Sequence, residues 1–144
     1  MPNYASHLIL NFMSLSALYI LYVQHPFLTT IQLSLFIIGF FIGTVLLSPD
    51  LDTKSESSRR CGVACTPYRK IFSHRGISHH WLWGTATRII YVLVVIGVLA
   101  ALVFLLKLPL PDITIVMGHP FELFMIVLGL FISNLLHTAM DAFF

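Results

Sequence analysis

Histidine and aspartate occur in this sequence at spacings that suit a metal ion. His137-Thr138-Ala139-Met140-Asp141 sets an imidazole and a carboxylate four positions apart. On a helix that spacing stacks the two side chains on one face, one turn apart. Ser48-Pro49-Asp50-Leu51-Asp52 sets two carboxylates two positions apart. An extended backbone points such a pair to one side, and a turn also draws it together. The densest polar run is His74-Arg75-Gly76-Ile77-Ser78-His79-His80, where a glycine between His74 and His79 permits a tight turn. His7 stands alone near the start of the chain. Carboxylates suit hard or borderline cations, and imidazole suits zinc, iron or manganese. Arg75 adds a planar guanidinium of the kind that holds a phosphate beside a metal. Each group also has a plainer role: a His–Asp hydrogen bond closing a helix, a polar stop after a helix, or histidines resting at an interface. His80 is the weaker partner in its run.

The elements that position these groups follow from composition. Of 144 residues, 58% are hydrophobic and 10% charged, where a soluble domain carries about 25% charged residues. The solvent for most of the chain is therefore lipid, and a chain of this length is expected to form one domain, residues 1–144. Four apolar stretches approach the roughly 20 residues that a spanning helix needs, at about 6–23, 30–47, 85–106 and 121–142. The expected fold class is all-α: an integral membrane bundle of about four transmembrane helices with one long cytoplasmic loop, residues 48–84. Pro26, Pro109, Pro111 and Pro120 punctuate the links. Gly39 and Gly43 are four apart on the second helix, a spacing that allows close helix contact. The N-terminus lacks a basic region and a small-residue cleavage site, so the first apolar stretch is expected to remain.

Charge orients the bundle. Lys54, Arg59, Arg60, Arg69, Lys70 and Arg75 all fall in the long segment, six of the eight basic residues in the chain. The positive-inside rule places that segment, and with four spans both termini, in the cytoplasm, as expected for a bacterial inner-membrane protein. His7, Asp50, Asp52, His74, His79, His137 and Asp141 then all lie at the cytoplasmic edge, while His25 and His119 fall on the other side. Ionisable groups at the edge of a span are functional candidates by default. Arg59, Arg60, Arg69 and Lys70 read as contacts to anionic lipid headgroups. The expected partners are membrane lipids, not nucleic acid. Tyr68, Trp81 and Trp83 read as interfacial aromatics. Cys61 and Cys65 sit in the basic segment without the pattern of a disulfide framework, and read as reduced thiols rather than as metal ligands.

Leu47-Ser48-Pro49-Asp50-Leu51-Asp52, then Pro67-Tyr68-Arg69-Lys70, His74-Arg75, Ser78-His79 and Gly84-Thr85, with Arg88 beyond, resemble a known pattern. It is that of uncharacterised membrane metal-binding proteins related to the YdjM-like membrane-bound metal-dependent hydrolases. That group carries an early His, a Pro-Asp-x-Asp, a His-Arg run ending in His, and a late His-x-x-x-Asp. The counterparts here are His7; Asp50 and Asp52; His74 and His79; His137 and Asp141. The group is more distantly similar to zinc-dependent phospholipase C, but this chain is shorter and lacks a second His-x-x-x-Asp/Glu pair and an N-terminal Trp.

Seven candidate ligands exceed the four that one tetrahedral ion needs. The surplus leads to an expectation of two divalent ions, zinc, manganese or iron, placed about 3.5–4 Å apart as in phosphoryl-transfer sites. Asp52 or Asp141 would accept the proton of the attacking water, and Arg75 would hold a nonbridging oxygen. A site at headgroup depth suits a phosphate ester on a lipid or a lipid-linked group. Three rivals remain: a sensor or structural metal site without catalysis, a metal transporter, and a helical scaffold whose His and Asp only cap helices. The transporter is disfavoured, because the mid-span polar residues (Asn11, Ser14, Ser16, Gln32, Ser34, Ser133 and Asn134) are uncharged.

Overall fold

The computed structural model describes residues 4–72, 77–109 and 118–143. Among them, all regular structure is helical. Helix α1 spans Tyr4–Gln24, α2 Thr30–Val45, α3 Glu56–Cys61, α4 Thr66–Ile71, α5 Trp83–Leu105 and α6 Pro120–Phe143, with 3-10 turns at Pro49–Asp52, Gly62–Cys65 and Ile77–His79. The chain is all-α, as its composition requires, since helices alone satisfy every backbone group of an apolar run locally. Helices α1, α5 and α6 are long and apolar enough to cross a membrane. Helix α2 has 16 residues, about 24 Å at the α-helical rise, and so falls short of the roughly 30 Å hydrocarbon layer.

Local sequence explains the ends of α2. Thr29 and Gln32 form a reciprocal capping box: Gln32 N donates to Thr29 Oγ1 (3.3 Å) and Thr29 N to Gln32 Oε1 (3.0 Å). At the other end Ser48 precedes Pro49, and a residue before proline is pushed into extended conformation. Ser48 is extended, and Pro49 opens the 3-10 turn that holds both aspartates. Helix α2 therefore stops at Val45, two residues before the expected boundary.

Helix α2 packs along α6 at backbone contact. A methyl group at Gly39 would lie 2.0 Å from the Ile126 carbonyl oxygen, and one at Gly129 would lie 2.1 Å from that of Phe36. At Gly43 it would lie 2.0 Å from Ser133 Oγ. The glycine spacing on α2 thus produces close contact, matched by a glycine on α6. Phe36, Phe40 and Met125 form the core beside this seam. The mid-span amides tie helices together: Asn11 Nδ2 donates to Thr44 Oγ1 (3.1 Å) and to Ser133 O (3.4 Å). Asn134 Nδ2 donates to Thr85 Oγ1 (3.5 Å). Such bonds hold helices together where lipid offers no hydrophobic drive.

The segment expected as a loop, residues 48–84, forms a folded cap in its described part. Leu51, Cys65 and Tyr68 are fully buried there, with Leu47, Phe72 and Tyr91 packed around them. Tyr68 stacks on Phe72 (4.5 Å) and meets Tyr91 edge-on (5.2 Å), so it is a core residue and not an interfacial one. Trp81 and Trp83 are exposed, as interfacial aromatics would be. Cys61 and Cys65, read as thiols from the sequence, are joined by a disulfide across one helical turn, with Cα atoms 5.7 Å apart. An i,i+4 pair in helical backbone sits within bridging distance, which the framework pattern alone does not reveal.

Candidate metal site

The start of α1, the turn after α2, the start of α5 and the end of α6 meet at one end of the bundle. His7 lies on the first turn of α1, and His137 and Asp141 lie on the last turns of α6. The 3-10 turn after α2 brings Asp50 and Asp52, and the turn before α5 brings His79.

Asp141 is the hub of the cluster. Its Oδ1 lies 3.2 Å from His7 Nε2, and its Oδ2 lies 3.5 Å from His137 Nε2 and 3.7 Å from His79 Nδ1. Asp50 faces two of the same histidines, with Oδ2 3.4 Å from His137 Nε2 and Oδ1 3.8 Å from His79 Nε2. The imidazoles of His7 and His137 stack at 3.7 Å, 6° from parallel. Three groups, His7, His137 and Asp141, offer ligand atoms all within 4.8 Å of one another.

These donors fit a metal ion. Two ligands 2.0–2.2 Å from one tetrahedral ion stand about 3.3–3.6 Å apart, and the separations around Asp141 bracket that value. His7 Nδ1 is buried and makes no hydrogen bond to described residues. His137 Nε2 faces two carboxylates, Asp50 Oδ2 at 3.4 Å and Asp141 Oδ2 at 3.5 Å, an arrangement suited to a shared cation. Burial alone would raise the Asp50 carboxyl, but the hydrogen bond from His137 and the charges of His137, His79 and His7 outweigh it and hold Asp50 below the ordinary carboxylate value.

Asp52 is placed differently. Its side chain is fully covered and approaches only the rim of the cluster, with Oδ2 3.8 Å from His79 Nε2. Arg88 is fully buried and lies in the field of Tyr68, Asp52 and Asp50. Asp52 thus meets the cluster at His79 and lies in the field of a buried guanidinium, as an orienting carboxylate would. His80 lies outside the cluster, its Nδ1 accepting from Leu82 N and Trp83 N (both 3.3 Å) at the start of α5. His74 and Arg75, expected as a ligand and a phosphate holder, lie outside the described residues. His25 and His119 belong to the opposite end: each is 18 residues from a cluster histidine, about 27 Å along a helix. His119 instead pairs with Glu122 (3.5 Å).

Sequence reasoning named Arg88 at the end of the resembled motif run and missed that it is buried. It also missed the layer of Asn11 and Asn134. Asn11 is four residues after His7 and Asn134 three before His137, so each lies one turn below a cluster histidine on the same helix face. That spacing was the available signal.

Apolar helices carrying a half-buried His/Asp cluster at one end define a membrane protein with a possible metal site. The chain belongs to the family Uncharacterized metal-binding protein (DUF2227), whose model matches residues 2–144. No curated protein and no solved structure matches it. The family description gives metal binding and names no reaction.

Proposed function

We propose that the protein is a metal-dependent membrane hydrolase: it binds two divalent ions, zinc, manganese or iron, at the cytoplasmic face of a bacterial inner membrane. The hydrolase reading follows the resemblance to YdjM-like hydrolases, and a site at headgroup depth suits a phosphate ester on a lipid or lipid-linked group. The observation that carries the metal site is Asp141, whose two oxygens face three histidines from three different elements. Divalent ions held there supply an activated water and neutralise phosphate charge. His7 and His137 fix one side of the site and His79 the other. Asp141, partly exposed where Asp52 is not, is the carboxylate placed to accept a proton from water. Asp52 positions His79, with the buried Arg88 in its electrostatic field. Arg75 is assigned to a nonbridging phosphate oxygen from the sequence pattern alone.

A non-catalytic metal site is the second reading. Its support is the number of protein donors: Asp50, His79, His137 and Asp141 alone could saturate one tetrahedral ion and leave no open position. Titrating zinc, manganese and iron against hydrolysis of a panel of lipid phosphate esters separates the two. Metal-dependent turnover that His137→Ala abolishes supports the hydrolase. Metal binding with no turnover across the panel sinks it and leaves the non-catalytic site.

A further inference from the structure

The folded cap holds a second polar feature, whose lining shares no residue with the His/Asp cluster. A cleft of about 430 Å³ opens between α3 and α4, lined by Lys54, Ser55, Ser58, Arg59, Thr66 and Arg69 together with Gly62 and Val63. Three of its lining residues are cations. Arg59 is engaged by Glu56 at 2.7 Å. Among the described residues neither Lys54 nor Arg69 has an acidic partner. Arg69 is held by Thr66, whose Oγ1 accepts from its guanidinium at 3.2 Å. Ser58 is 1% exposed, and its hydroxyl has no hydrogen-bond partner among the described residues. A buried hydroxyl without a partner beside two uncompensated cations is a site short of an oxyanion.

We infer that this cleft binds a phosphate monoester group. Such a dianion brings three non-ester oxygens, matching three donors of different kinds: the Lys54 ammonium, the Arg69 guanidinium and the Ser58 hydroxyl. A phosphodiester brings two free oxygens and one charge, and fills the set less well. The cleft lies on the cap, at the end of the bundle where α5 begins and α6 ends, so a phosphate carried on a lipid headgroup and a free phosphate share the chemistry it recognises. It is separate from the metal cluster. The link between them is the Ser55 hydroxyl, which donates to the Asp50 carbonyl oxygen (2.8 Å) and leaves the Asp50 carboxylate untouched.

The test uses the full chain in phosphatidylcholine nanodiscs containing phosphatidic acid or, as a diester control, phosphatidylserine. Co-purifying lipid is read by mass spectrometry, and inorganic phosphate binding by calorimetry. Selective retention of phosphatidic acid, reduced about tenfold in Lys54→Gln/Arg69→Gln, supports the site and assigns it a lipid source. Binding of inorganic phosphate alone, lost in the same variant, supports it with a soluble source. The variant keeps its metal content in either case, since neither side chain is among the cluster's donors. Three results overturn the inference: binding of neither probe, equal retention of phosphatidylserine, or unchanged binding in the double variant.

Discussion

Helix α6 packs against α2 along one side and meets α5 on another, and the two contacts are built on opposite principles. Against α2 the backbones touch, because Gly39, Gly43 and Gly129 leave no side chain between them. Against α5, side chains meet across an apolar cleft lined by Leu82, Ala86, Ile89, Phe124, Val127 and Phe131. Burial on α5 is confined to Gly84, Thr85 and Arg88 near its start. Beyond Arg88, none of its described residues is buried. Helix α5 is also the most apolar of the spans, with a mean hydropathy of 2.8 over its best window. Helices α2 and α6 therefore form the rigid pair on which the His/Asp cluster is mounted. Helix α5 meets lipid along most of its length and matters to the site through its first two turns.

The largest effect that separates the two regions comes from adding one methyl group. Gly129→Ala puts a Cβ against the backbone of Phe36 and Phe40. Neither neighbour can rotate away, so a loss of about 3 kcal/mol or more is expected, seen as little monodisperse protein in detergent. Gly97→Ala on α5 has nothing within 4 Å of the new Cβ, and should hold or raise stability, by up to about 1 kcal/mol, through helix propensity. Equal behaviour of the two variants would break the comparison.

The next effect tests the start of α5. Arg88→Met removes a buried positive charge from the field of Asp52. Losing that field costs about 1–3 kcal/mol, so a fall in thermal midpoint is expected. Arg88→Met with Asp52→Leu should recover much of the loss, because an apolar pair carries no stranded charge. If the double variant is no better than the single, Arg88 is not the counter-charge of Asp52.

The smallest effect lies in the cap. Burial raises the Tyr68 phenol above its ordinary value, with Thr87 Oγ1 3.2 Å from its hydroxyl. The native state thus holds this proton after the unfolded chain has released it. The stability Tyr68 supplies is complete below the ordinary tyrosine value of about 10 and is lost as pH rises above that value toward the raised native one. Unfolding followed from pH 9 to 11 should show a steeper fall for the wild-type protein than for Tyr68→Phe, and parallel curves would remove Tyr68 from the account.

Much of this was legible in the residues. Apolar length defined the long helices, Gly39 and Gly43 announced a close seam, and the sorting of His and Asp to span ends brought His7, Asp50, His79, His137 and Asp141 to one place. What was hidden depends on three-dimensional burial. Arg88 and Tyr68 carry types common at a membrane surface, and only the packing of the cap over α5 buries them. The cap itself is rich in Ser and Arg, which reads as loop, because its order comes from a few contacts of Leu51, Cys65 and Tyr68 rather than from periodicity. Asp52 differs from Asp50 by facing inward from a 3-10 turn, a distinction that two residues of spacing do not encode.

The central claim is that the His/Asp cluster at the joined helix ends holds metal. Elemental analysis of the purified full-length protein, beside His7→Ala/His137→Ala and a His25→Ala/His119→Ala control, tests it most directly. The expected result is about one to two divalent ions per chain in the wild type and in the control, and almost none in the cluster variant. Metal retained by a folded His7→Ala/His137→Ala protein, or lost in the control, would contradict it.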